Sequence, residues 1–240
     1  MEIHEFKNRI ASLNNLIRDK VSEPENKRYP IYDGAVDAER YFNSTIKIAW
    51  LLKEAYQGKN GVGGNWNYSE LLAKDSVYED FFGSHASRAT WHPIIYVSHG
   101  ILNNFLYYND MDSIKDDTKM SFVVRDIAII NTQKLPAKNV TSSNMGEIHL
   151  AFDKYKDILK SQIDILNPDI IIGGSTMSLY KSLFDLKDED AYHLENVKYY
   201  FKNNKVFIDA FHPAQRTVGR EKYIDEIISA AEEWFDKFKK

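Results

Sequence analysis

Four short apolar runs punctuate the chain, and each ends in polar or otherwise special residues. The first, Ile46 to Tyr56 (IKIAWLLKEAY), stops at Lys53-Glu54-Ala55-Tyr56, and the GKNGVGGNW that follows holds four of the chain's 11 glycines. IAIINTQK, IIIGGST and VFIDAFHPAQR repeat the arrangement further along. A near-continuous apolar run bounded by turn residues predicts a strand buried in a parallel sheet. Open α/β sheets bind ligands at the carboxyl ends of such strands, so the four ends are expected to meet in one cleft.

Helical periodicity fills the intervals. Ile3, Phe6, Ile10, Leu13, Ile17 and Val21 recur at spacings of three and four and predict one apolar helix face. Pro24, Pro30 and Gly34 mark a loop, and a short helix is expected from Asp37 to Ser44. Tyr68 to Phe82 reads as a helix. Thr90 is expected to cap a longer one, with Pro93 in its first turn and Ile94, Ile95, Val97, Ile101 and Leu102 on its apolar side. Glu147 to Leu166 is amphipathic, Thr176 to Phe184 follows the third run, and Arg220 to Lys239 closes the chain. Asn203-Asn204 between two β runs is a hairpin signal.

Strands alternating with helices predict an α/β fold. The expected form is a three-layer α/β/α sandwich on a central four-stranded, mostly parallel sheet. Residues 1–240 are expected to form one domain, with residues 1–45 an N-terminal helical extension. Composition narrows the function. The 240 residues carry a net charge of −4, which gives no global basic signal for nucleic acid and leaves a local basic patch as the route to it. There is no cysteine, which excludes disulfides and thiolate-held Fe–S clusters or zinc. The seven histidines show no H-E-x-x-H pattern, so no metal and no cofactor is expected. No apolar run approaches the roughly 20 residues that span a membrane, and the N-terminus lacks a signal-peptide core. A cytoplasmic monomer is the expectation.

The strand ends, taken in order, resemble motifs of the uracil-DNA glycosylase superfamily. Leu52-Lys53-Glu54-Ala55-Tyr56 aligns with a first motif that often reads Gly-Gln-Asp-Pro-Tyr. Ile129-Ile130-Asn131-Thr132 stands where the family often has Leu-Leu-Asn-Thr, Gly174-Ser175 matches its Gly-Ser turn, and His212-Pro213-Ala214 its His-Pro-Ser. The match spans residues 46 to 216. The resemblance implies hydrolysis of an N-glycosidic bond in DNA after the nucleotide is flipped out of the stack. It implies Glu54 as the carboxylate facing an oxocarbenium-like sugar, and His212 as the donor to the departing base. Asn131 would read the base with its amide, Tyr56 would wall the pocket, and Ser175 would lie in the turn beside it. Arg216, four positions after the histidine, takes the place of a duplex-wedging residue. Lys134, Lys138, Arg220 and Lys222 are expected to form a backbone-binding rim.

Departures from the motifs include Glu54 for Asp or Asn, Ala55 for Pro, and Ala214 for Ser. Lys53 is expected either to favour ionisation of Glu54 or to occupy it in an ion pair. Two other readings stay open. One is a non-catalytic binder of a nucleobase, nucleotide or nucleic acid on the same fold. The other is a flavodoxin-like or nucleoside-processing enzyme.

Overall fold

A computed structural model describes residues 1–56, 61–138 and 143–240. Gly58 of the Gly-rich loop and Asn139 of the polar loop lie outside the described residues.

The chain opens with α1 (Ile3–Val21), then β1 (Ile31–Tyr32), β2 (Gly34–Ala35) and α2 (Ala38–Asn43), and enters the core at β3 (Ile48–Glu54). Next come β4 (Trp66–Asn67), α3 (Tyr68–Leu72), α4 (His85–Leu102) and β5 (Ala128–Gln133). Then follow α5 (Met145–Leu166), β6 (Ile170–Gly174) and α6 (Met177–Phe184). The hairpin strands β8 (Lys198–Lys202) and β9 (Lys205–Ala210) are preceded by β7 (Tyr192–His193), and α7 (Arg220–Phe238) ends the chain. No helix among the described residues is long and apolar enough to cross a membrane.

The main sheet has seven strands, in the order β2-β5-β3-β6-β9-β8-β7. The expectation of four strands is therefore too small. β5, β3, β6 and β9 run parallel; β2 on one side and β8 on the other run opposite to them, and β7 pairs antiparallel with β8. β1 and β4 form a separate two-stranded parallel pair.

Apolar side chains on both faces explain why the central runs were near-continuous. Trp50, Leu52, Ile129, Ile172 and Ile208 join α4 and α7 in one core cluster. Ala49, Leu51, Ile130, Ile171 and Phe207 join α1, α5 and α6 in the other. Helices thus lie on both sides of the sheet. Within α4, Ser98 accepts a hydrogen bond from the buried Trp50 indole at 3.2 Å, which satisfies the one polar atom that Trp50 carries into the core.

Two helix boundaries differ from the periodicity. Tyr68 to Phe82 divides into α3 and a π turn over Tyr78–Phe82. α4 begins at His85 because the Ser84 hydroxyl accepts from the Ser87 N–H, so Pro93 lies inside the helix instead of in its first turn. Nor are residues 1–45 simply a helical addition. α1 packs on the face of α5, and β2 extends the main sheet.

Candidate functional site

The register of the parallel strands sets the site. Leu52 on β3 pairs with Asn131 on β5, and Gly174 on β6 pairs with Ala210 on β9. Because Leu51 pairs with Gly173, the next row across the sheet runs Asn131, Leu52, Gly174, Ala210. Side chains alternate along a strand, so Glu54 lies on the same face as Leu52 and Asn131, one step nearer the strand end. At Gly174 the chains come close together. A Cβ there would stand 3.1 Å from Leu52 Cδ2, 3.1 Å from Pro213 Cδ and 3.7 Å from His212 Cα, so the missing side chain lets His212 approach the β3 end. The four strand ends, distant in sequence, are thus assembled at one edge of the sheet.

Asn131 is 2% exposed. Its Oδ1 and Nδ2 are both buried and make no hydrogen bond among the described residues. Leaving a buried polar group unpaired costs about 1–3 kcal/mol, so an amide with both ends unpaired marks a place to look for function. The Tyr68 hydroxyl lies within electrostatic reach of this amide, although the geometry falls short of a hydrogen bond; burial holds that phenol well above its ordinary range.

His212 is oriented from its backbone. Its N–H donates to the Ser175 hydroxyl at 2.8 Å, and Ser175, at φ +59°, donates its own N–H to Ala210. The imidazole Nδ1 accepts from the Ala214 N–H at 3.1 Å, which places the ring proton of the neutral form on Nε2. Burial lowers the ring's pKa from 6.5 to about 4, and the charge of Lys53 acts in the same sense. The ring is therefore a neutral donor at physiological pH. Ser175, expected in the turn beside the pocket as a substrate-binding residue, accepts from the His212 N–H with its hydroxyl and so positions the histidine.

Glu54 is half-buried, and burial raises its carboxyl above the ordinary 4.5. A hydrogen bond from Ser143 opposes that, Glu147 adds to it, and Lys53 and Arg28 oppose it weakly. Lys53 therefore favours ionisation of Glu54, as expected, although burial has the larger effect in the opposite direction. It makes no ion pair among the described residues and leaves the carboxyl unoccupied by a salt bridge.

Other expectations need correction. Lys134 does not reach a backbone-binding rim. Its ammonium is fully buried and donates to Asp33 Oδ1 at 2.6 Å and to Gln162 Oε1 at 2.8 Å. Lys138 pairs with Glu147 at 3.6 Å and Lys222 with Glu195. Lys222 and Arg220 line a cavity of about 710 Å³ that also holds Glu221, Asp225 and Glu226, so its charge is not basic. Tyr56 is 54% exposed instead of packed as a wall. Arg216 is exposed and forms no ion pair among the described residues. It sits on a loop braced by the Gln215 side chain, which accepts from the Thr217 and Val218 N–H groups and donates to the Val218 carbonyl.

Sequence reasoning missed Asp33, Tyr68, Gln162 and Arg28. Asp33 Oδ2 accepts from the Asn131 N–H at 2.7 Å, and its other oxygen accepts from Gln162 at 2.9 Å as well as from Lys134. Arg28 is 7% exposed and binds two backbone carbonyls. Only the neighbouring Pro30 and Gly34 hinted that this segment is specialised.

Comparison of the chain with protein-family models and with curated proteins gives no match.

Proposed function

We propose that the chain is a divergent member of the uracil-DNA glycosylase superfamily that hydrolyses the N-glycosidic bond of uracil or a related damaged base in DNA. One observation carries the reading. The buried Asn131 amide makes no hydrogen bond among the described residues, and it lies on the same sheet face as Glu54, at the end of the neighbouring strand. An amide that can both donate and accept matches the hydrogen-bonding edge of a pyrimidine.

The row from Asn131 on β5 to the residues after β9 spans three strand spacings, about 14 Å. The base would bind across it, its edge on Asn131. As the glycosidic bond breaks, negative charge gathers on a base carbonyl oxygen, and His212 donates to it from Nε2. The opposite charge gathers on the sugar, and ionised Glu54 faces it and orients the water. Arg216, exposed on its braced loop, contacts the DNA backbone or stacks beside the gap left by the flipped nucleotide.

The test is a panel of oligonucleotides, each carrying one modified base, incubated with the protein and then treated with alkali to cut at abasic sites. Cleavage at uracil or a related base that disappears in Asn131→Ala supports the reading. Intact strands across the panel overturn it.

A second reading is a non-catalytic binder of the same ligands, and the state of Glu54 favours it. Burial raises the carboxyl's pKa, which works against the ionised form that hydrolysis needs. This reading expects uracil or uracil-containing DNA to bind, with dependence on Asn131 and His212, and no abasic product to form.

A further inference from the structure

The segment before the first core strand threads between the loops that leave β3 and β5. On one side the Tyr29 N–H donates to the Gly63 carbonyl at 2.8 Å, and the Asn65 N–H to the Pro30 carbonyl at 2.8 Å. On the other side the Ile31 N–H donates to the Lys134 carbonyl at 2.8 Å. Arg28 joins both sides, with Nε donating to the Gly61 carbonyl at 3.1 Å and Nη2 to the Pro136 carbonyl at 2.9 Å. Gly64, at φ +97°, lies so close that a Cβ would stand 1.9 Å from the Tyr29 carbonyl oxygen. Two residues beyond Ile31, the Asp33 carboxylate accepts from the Asn131 N–H at 2.7 Å.

The Asn131 side chain makes no hydrogen bond among the described residues, so packing, the nearby Tyr68 hydroxyl and the placement of its backbone set where the amide lies. The side-chain anchor of that backbone is the Asp33 carboxylate, fixed in turn by Lys134 and Gln162 in a fully buried network. We propose that this strap, residues 28–33, is a working part of the site: Asp33 is a positioning residue for the Asn131 amide, and Arg28 fixes the two loops beside Glu54. The role in recognition rests on the reading that Asn131 binds the base.

The test uses the full chain and two paired variants. Both carry Lys134→Met, so that no ammonium is left buried without its partner. Asp33→Asn/Lys134→Met keeps an acceptor for the Asn131 N–H, and Asp33→Leu/Lys134→Met removes it. Hydrogen exchange at the Asn131 N–H reads positioning directly. Affinity for a uracil-containing single strand, and release of uracil from it, read function. The leucine pair is expected to exchange at least tenfold faster and to lose at least tenfold in affinity or turnover, while the asparagine pair stays within about threefold of wild type. Equal exchange in the two pairs overturns the role of Asp33.

If wild type neither binds nor processes the strand, the glycosylase reading fails, and the exchange measurement alone decides the strap. Should the leucine pair not fold, Arg28→Gln is the second probe. It is expected to speed exchange at the N–H groups of Tyr29 and Ala137 and to weaken the oligonucleotide, with Arg28→Lys recovering part of both. Unchanged exchange in Arg28→Gln overturns the clamp.

Discussion

Acidification tests the state of His212 most directly. Its Nδ1 is occupied by the Ala214 N–H, and burial lowers its pKa from 6.5 to about 4. That gap corresponds to about 3 kcal/mol of preference for the neutral ring, at roughly 1.36 kcal/mol for each pH unit. The unfolded chain takes up the proton first. This contribution to stability is therefore complete above pH 6.5 and is lost as the pH falls from 6.5 towards 4. His92, also lowered to about 4 by burial, adds to the loss in the same window. Glu54 and Asp209 act in the opposite sense. Burial raises their carboxyl pKa values, so their contribution is present at acid pH and is lost as the pH rises through the folded values. Two-dimensional NMR of the histidine rings reads both the tautomer and the titration. The expected result is a neutral Nε2–H ring for His212 throughout pH 5 to 8. Lys53→Met should raise its titration point, because the ammonium is the second cause of the shift. A His212 ring that titrates near its ordinary value, or that carries its neutral proton on Nδ1, refutes the assignment of Nε2 as donor.

Lys134→Met leaves Asp33 buried without its ion-pair partner and should cost about 3–5 kcal/mol in urea unfolding; a stable variant that has lost only DNA affinity would return Lys134 to a binding role. Gly64→Ala should destabilise by several kcal/mol, since the added Cβ meets the Tyr29 carbonyl, and thermal unfolding measures it. Glu54→Gln should cut release of uracil by about 100-fold or more while keeping affinity for the strand, and single-turnover kinetics separates the two. Arg216→Ala should weaken DNA in proportion to one lost phosphate contact, lowering the slope of log affinity against log salt by about 1.

The parts of the fold carried by local periodicity could be read from the chain. β3, β5, β6 and β9 are apolar on both faces, and α1, α5 and α7 each bury one regular stripe. What escaped was non-local or very short. β2 and β7 have two residues each, too few for any alternation to register. Lys134 reads as a surface cation because lysine is almost never buried unpaired. Its partner lies 101 residues upstream, and no spacing along the chain connects them. The candidate site was legible where it lies on strand ends, as at Glu54, Asn131 and His212. It was not legible where support arrives from the strap, as at Arg28 and Asp33.

The outermost strands of the main sheet have a consequence for the protein in a crowded solution. A sheet that ends in a long, straight row of free amides and carbonyls invites another chain to add on. Here β2 covers one flank for two residues and β7 covers the other for two, so either border offers an incoming segment only a very short ladder. Strand addition between copies is therefore expected to be weak at these two short strands, and light scattering measured against concentration checks it.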